Sequence, residues 1–144
     1  MTDQFELSRF VEAQDAVYDS VLQELTAGRK LSHWMWYIFP QIQGLGESWM
    51  SQRYAISDRD EARAYWEHPV LGSRLKECTQ LVMNVDGRSV TKIFGSLDDL
   101  KFRSCMTLFE RSAEDPRMFR AALLKYFGDE PDQLTLTILA RQSP

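Results

Sequence analysis

The sequence has little of several residue types, and each shortage excludes a class of protein. Only two cysteines occur in 144 residues, Cys78 and Cys105, and two such distant thiols provide no disulfide framework. We therefore expect two reduced, buried thiols of the kind found in cytosolic proteins. No apolar run approaches the ~18 residues that a membrane-spanning helix requires, which excludes such a segment.

Positive charge is also scarce. The chain has 17 Lys and Arg against 21 Asp and Glu, a net charge of −4. A general nucleic-acid binder usually has a basic face and a pI above about 9, so we expect no nucleic-acid partner. The N-terminal residues are acidic and lack the apolar core of a signal peptide. We therefore expect a cytoplasmic protein without a membrane partner.

Proline and glycine are too few and too scattered to form a linker. The chain has 5 prolines and 7 glycines, and it contains no repeat and no low-complexity tract. These features predict one domain over residues 1–144. A domain of this length buries roughly 68–70% of its unfolded surface, enough for a core without metal or disulfides.

Apolar residues recur at helical spacing along most of the chain. The first stripe runs from Leu7 to Leu25 and predicts one long helix that Gly28 ends. The aromatic run Trp34–Phe39 has no readable period, because every position is apolar. A short helix is predicted within Ser48–Ile56.

The remaining helices are predicted from their starting residues. Ser57 or Asp58 caps a helix, Pro69 precedes another, and Asp115 and Pro116 start one that Gly128 ends. Ser96 and Asp99 resemble a capping box for a helix that runs to about residue 112. The alternation in 132–140 allows a strand, but helix is favoured because no partner strand is predicted. We predict an all-α fold, a compact single-domain helical bundle of about six to eight helices.

Residues 28–48 carry the most distinctive pattern and read GRKLSHWMWYIFPQIQGLGES. Tryptophan and tyrosine bring an N–H or O–H group that must find a partner, whereas aliphatic core residues do not. Cations precede these aromatic residues and turn glycines follow them. Such a segment indicates a recognition surface or the wall of a pocket.

Polar side chains interrupt the predicted apolar stripes at three places. Gln14 lies between core positions of the first helix, Arg74 lies beside Leu71 and Cys78, and Lys101 falls on an inward face. One account pairs the two cations with carboxylates such as Glu77, Glu47 or Asp99, or extends them to solvent with their stems buried. The other brings them together with Arg29, Lys30 and His33 around an anionic ligand, which arginine and lysine bind readily. The residues leave both accounts open.

Two other motifs lack the spacing that a dinucleotide-binding loop or a zinc site requires. Residues 44–49 contain half of a dinucleotide-binding fingerprint, but a tryptophan replaces the third glycine and no strand precedes it. His33, His68, Cys78 and Cys105 lack the closely spaced pairs of known zinc sites. We therefore predict no metal and no cofactor.

Several segments together resemble the signature of a mostly bacterial family, domain-of-unknown-function family eighteen-ten. They are residues 29–30, 33–41, 44–46, 54–56, 61–62, 68–72, 74–75, 93–95, 98–101 and 104–109. The resemblance covers Leu7 to about Tyr126 and implies a compact all-helical fold, with helix for 34–39, but no established activity. Some members carry the label calpastatin, which we do not adopt because calpain inhibitors are long disordered repeats.

The family signature and the interrupted stripes select the same candidate pocket. We predict His33 and Lys101 as catalytic residues, if there is catalysis. The predicted ligand-binding residues are Gln14, Arg29, Lys30, Trp34, Trp36, Gln41, Tyr54 and Arg74. The preferred function is binding of a small anionic, nucleotide- or sugar-phosphate-like ligand, with or without acid–base chemistry. The alternatives are a protein-interaction module with an exposed tryptophan patch, its partner unknown, and a stable domain whose tryptophans are core.

Overall fold

A computed structural model describes residues 3–142 of the chain, and regular structure in this part is helical. It contains ten α-helices: α1 Ser8–Asp15, α2 Tyr18–Thr26, α3 Met35–Ile38, α4 Trp49–Arg53, α5 Arg59–Glu67, α6 Leu71–Met83, α7 Val90–Phe94, α8 Asp98–Glu110, α9 Arg117–Phe127 and α10 Gln133–Gln142. The all-α prediction is confirmed, including helix rather than strand at the C-terminal end. The predicted number of six to eight helices is too low.

Two differences from the prediction, a divided helix and an additional one, account for the larger number of helices. The predicted long first helix is two helices, because Val17 leaves helical geometry with φ −130° and ψ −3°. The second is α7, a helix of 5 residues that the apolar pattern did not indicate. The predicted stops are correct: Gly28 and Gly128 follow α2 and α9 with φ of +73° and +61°, where glycine is favoured.

The N-terminus of α8 differs from the capping-box prediction. The Asp58 side chain caps α5 as predicted, accepting a hydrogen bond from the backbone N–H three residues later. Ser96 and Asp99 form no such box, since α8 begins at Asp98 and Leu97 occupies the cap position without a side-chain hydrogen bond. Leu97 has φ +78° and ψ −47°, a conformation that costs free energy in a residue with a Cβ.

Two long helices form the centre of the fold. α6 packs against α2, α3, α5 and α9, and α8 packs against α5, α7, α9 and α10. α8 is buried around most of its circumference, including Phe102, Cys105 and Phe109. Both cysteines are free and buried, as predicted.

The loop between α3 and α4 is fixed at its base by main-chain hydrogen bonds. Ile42 and Ile56 form an isolated parallel bridge, in which the Ile56 N–H donates to the Gln41 carbonyl at 2.8 Å. The Gln43 N–H donates back to the Ile56 carbonyl, also at 2.8 Å. This base holds residues 41–46 beside α8. None of the helices described within 3–142 is long and apolar enough to cross a membrane.

Candidate functional site

The aromatic segment is built around a buried tryptophan. Trp34 precedes α3, its side chain is fully buried, and its indole N–H donates to Glu24 Oε1 at 3.0 Å. The same carboxylate accepts hydrogen bonds from the backbone N–H groups of Leu31 at 2.6 Å and Ser32 at 2.8 Å. The Ser32 hydroxyl donates to Oε2 at 2.6 Å. Trp34 therefore belongs to the core.

Glu24 is ionised in this environment. Burial raises the pKa of its carboxyl, but the hydrogen bonds from Ser32, Leu31 and Trp34 together outweigh burial and hold the pKa below its usual value. Sequence analysis missed Glu24. It lies three residues after Val21 on the first apolar stripe, so the criterion that selected Gln14 also selects it.

Two lysines share one carboxylate at the start of α8. Lys30 Nζ lies 2.9 Å from Asp98 Oδ2, and Lys101 Nζ lies 3.0 Å from Oδ1. Burial raises the pKa of Asp98, but the hydrogen bonds and charges of both lysines outweigh it and hold the pKa below its usual value. The trio carries one surplus positive charge.

The two lysines differ in their freedom to move. The Lys30 side chain is 7% exposed, and its ammonium also donates to the Ser32 carbonyl and lies 5.0 Å from the Trp34 ring centre. The Lys101 side chain is 27% exposed, and its ammonium lies 5.3 Å from the centre of the half-buried Trp36 ring. Lys101 is the member of the pair that a ligand can reach.

Lys101 lines a groove between α8, the 41–46 loop and the start of α10. The groove has a volume of about 270 Å³. Its lining residues are Gln41, Leu45, Gly46, Ser51, Leu97, Leu100, Lys101, Ser104, Asp132 and Leu134. Leu97, Leu100 and Leu134 are all more than half exposed, so the groove has an apolar wall open to solvent. A second cavity of about 270 Å³ adjoins it and shares the lining residues Gln41, Leu45, Gly46 and Ser51.

Gln14 and Arg74 lie in a separate cluster. Arg74 Nη2 is 2.8 Å from Asp15 Oδ1, and Nη1 donates to Gln14 Oε1 at 3.3 Å. The Gln14 amide donates to the Tyr37 carbonyl at 2.7 Å and to the Tyr65 hydroxyl at 3.0 Å. These bonds tie α1 to α3, α5 and α6, and neither residue lines the Lys101 groove.

The other predicted residues are dispersed. Arg29 and His33 are exposed, and the His33 imidazole makes no hydrogen bond within residues 3–142. Tyr54 packs its ring 5.2 Å from that of Tyr37 and 5.8 Å from that of Phe10. In the part of the chain described, no three His, Cys, Asp or Glu side chains are arranged to hold a metal ion. The structure thus brings together Lys30, Trp34, Trp36 and Lys101 around Asp98, with Gln41 across the groove, and leaves Gln14, Arg74 and Tyr54 apart.

Comparison with known proteins confirms the resemblance. The family model described as "Protein of unknown function (DUF1810)" matches residues 4–139. The chain belongs to this family. The DUF1810 chain is also similar to a solved structure, that of the conserved hypothetical protein Rv1873 from Mycobacterium tuberculosis. That protein is 54% identical, with a TM-score of 0.95, over 96% of this chain and 99% of its own. No curated protein matches the sequence.

Membership in the DUF1810 family accounts for the fold and assigns no activity. The aromatic motif that carries the resemblance includes Lys30 and Trp34, which the structure places around Asp98 and Glu24. The motif therefore serves at least partly to anchor the segment before α3.

Proposed function

We propose that this protein binds a small ligand through an anionic group of that ligand, in the groove beside Lys101. The observation that carries the proposal is the sharing of Asp98 by Lys30 and Lys101, which leaves one positive charge at the wall of a groove. A lysine whose only carboxylate is already neutralised by another lysine is free to pair with an incoming phosphate or carboxylate.

The difference in burial between Lys30 and Lys101 supports this proposal. Lys30 is nearly buried and keeps Asp98 paired, so Lys101 can turn toward a ligand without leaving the partly buried carboxylate unpaired. The sequence favoured nucleotide- or sugar-phosphate-like ligands with Trp34 and Trp36 as stacking walls. Trp34 is fully buried and unavailable, and the half-buried Trp36 lies beside the Lys101 ammonium without lining the groove.

We assign Lys101 a binding role in this proposal. An acid–base role for His33 stays a prediction, and the site offers it no orienting partner, since the imidazole is exposed and does not line the groove. In the alternative function, a protein-interaction module with an exposed tryptophan patch, Trp34 cannot contact the partner because it is buried in the core. Trp49, which is 71% exposed, is then the tryptophan most available to a protein partner.

Thermal unfolding with a ligand panel tests the proposal. The panel holds inorganic phosphate, a sugar phosphate, a nucleoside monophosphate and small carboxylic acids. A ligand at a hundred times its Kd stabilises the folded state by roughly 2.7 kcal/mol. We expect at least one ligand to raise the melting temperature of the natural protein but not that of Lys101→Met, which keeps the stem against Trp36 and removes the charge.

Arg74→Met is the matched control. It removes a half-exposed cation that is also paired with a carboxylate but belongs to the other cluster, so ligand stabilisation should persist. Equal stabilisation of the natural protein and Lys101→Met contradicts the proposal. Loss of stabilisation in Arg74→Met alone moves the binding site to the cluster around Gln14.

A further inference from the structure

The groove beside Lys101 carries both signs of charge together with an apolar wall. Lys101 and Asp132 both line it, and the three exposed leucines Leu97, Leu100 and Leu134 line it with them. We infer that its ligand is a zwitterion with an apolar side group, which is the chemistry of an apolar α-amino acid. This inference rests on the proposed function, because it assigns Lys101 to the ligand carboxylate, and it adds Asp132 as the partner of an ammonium group.

The position of Asp132 is fixed from two sides. Its Oδ2 accepts hydrogen bonds from the Thr135 backbone N–H at 2.9 Å and from the Thr135 hydroxyl at 2.6 Å. Its own backbone N–H donates to the Thr107 hydroxyl at 2.8 Å. Within residues 3–142 no hydrogen bond reaches Oδ1, which leaves this oxygen to accept from a ligand.

Charge complementarity selects a zwitterion over a simple anion. Lys101 and Asp132 are the two charged residues among those that line the groove, so its lining carries one positive and one negative group. A purely anionic ligand beside Lys101 would be repelled by Asp132. A ligand that carries an ammonium group next to its carboxylate offers a partner of opposite charge to each of these two residues.

The leucine wall supplies the third point of recognition. Leu97 is 66% exposed and holds a left-handed φ of +78°, where glycine would fit without strain. Residues with strained backbone geometry cluster at active sites and ligand clamps, where the surrounding structure holds them in place. Burial of Leu97, Leu100 and Leu134 against an apolar group recovers the cost of exposing them.

The volume fits one such side group. An apolar cavity of about 150 Å³ holds a benzene molecule. The groove has about 270 Å³, which accommodates a ring or a branched chain together with the carboxylate and ammonium head. Leucine and phenylalanine are therefore suitable probes.

Calorimetric titration of the natural protein with three matched compounds tests the inference without any variant. Phenylalanine has both charges, 3-phenylpropanoate lacks the ammonium group, and phenethylamine lacks the carboxylate. We expect phenylalanine to bind roughly ten- to a hundredfold more tightly than either, since a hydrogen bond to a charged group contributes that factor. Leucine and 4-methylpentanoate should repeat the difference.

Asp132→Asn and Lys101→Met then locate the two charges. Asparagine caps a helix as well as aspartate does, so Asp132→Asn should keep the start of α10, which the circular dichroism and melting temperature check. We expect it to lose at least tenfold in affinity for phenylalanine, with its affinity for 3-phenylpropanoate unchanged or higher. Lys101→Met should lose affinity for both compounds.

The outcomes separate this inference from the proposed function. If 3-phenylpropanoate binds as tightly as phenylalanine and binding needs Lys101, the anion site stands and the zwitterion is refuted. If inorganic phosphate binds through Lys101 but neither amino acid binds, the anion site again stands and the zwitterion is again refuted. If no anion binds through Lys101, the proposed function fails together with this inference.

Discussion

Removal of the Glu24 carboxylate, which accepts hydrogen bonds from the aromatic segment, should destabilise the fold. Glu24→Ala leaves the fully buried indole N–H of Trp34 without an acceptor, which costs about 1–3 kcal/mol. It also removes the acceptor of two backbone N–H groups, at Leu31 and Ser32, each worth about 0.5–1.5 kcal/mol because water can replace it there. The expected loss is about 2–6 kcal/mol in the free energy of unfolding, out of about 5–15 kcal/mol for a typical domain.

Urea unfolding followed by far-ultraviolet circular dichroism measures this loss. Glu24→Gln keeps one acceptor oxygen and should lose less than Glu24→Ala. Glu12→Gln is the matched control, because it makes the same charge change at an exposed residue with no ion pair among those described, and it should stay within about 0.5 kcal/mol of the natural protein. A Glu24→Ala variant as stable as the control refutes the reasoning.

The pH dependence gives a second test of Glu24. Its pKa is lower in the folded protein than the ordinary value of 4.5, so its ionised form is stabilised by folding. The contribution is present in full above that value and is lost as the pH falls through the folded pKa. The stability difference between the natural protein and Glu24→Gln should therefore shrink on acidification. A difference that grows on acidification contradicts an ionised, hydrogen-bonded carboxylate.

Two further predictions concern close packing. Gly72→Ala should lower the melting temperature although alanine favours helix, because the new Cβ would lie 2.0 Å from the Trp66 carbonyl oxygen. The control is Ser73→Ala at the next, exposed position of α6, which should change the melting temperature little. Burial raises the pKa of Cys78 to about 12 and that of Cys105 well above its usual value, so neither thiol should react with a disulfide reagent at about pH 8 until denaturant is added. Rapid reaction of either in the folded protein contradicts this burial.

Hydrophobic periodicity predicted most helices because it records which residues face the core. It could not show the break at Val17, because the helix before Val17 and the helix after it both bury residues in the core. The capping-box pattern at Ser96 and Asp99 did not give the start of α8 at Asp98, because that turn depends on the positive φ of Leu97, which leucine rarely adopts.

The candidate site was predictable in its residue types but not in its pairings. Sequence analysis placed carboxylates beside Lys101 and Arg74 and named Glu77, Glu47 and Asp99 as partners, whereas the structure pairs them with Asp98 and Asp15. The choice between Asp98 and Asp99 follows from the turn at Leu97, which no spacing rule encodes. The separation of Arg74 from Lys101 likewise depends on tertiary packing, which one stripe of apolar residues does not specify.

The shared carboxylate at Asp98 has a consequence for how the family can evolve. Lys30 on its own would still pair with Asp98, so a lineage that loses the use of the groove could replace Lys101 and leave this carboxylate in an ion pair. If Lys101 binds the proposed ligand, we expect Lys30 to be retained wherever the fold is retained, and Lys101 only where the ligand is still bound. The pattern of substitution at these two sites would then separate relatives with the proposed binding activity from those that keep only the scaffold.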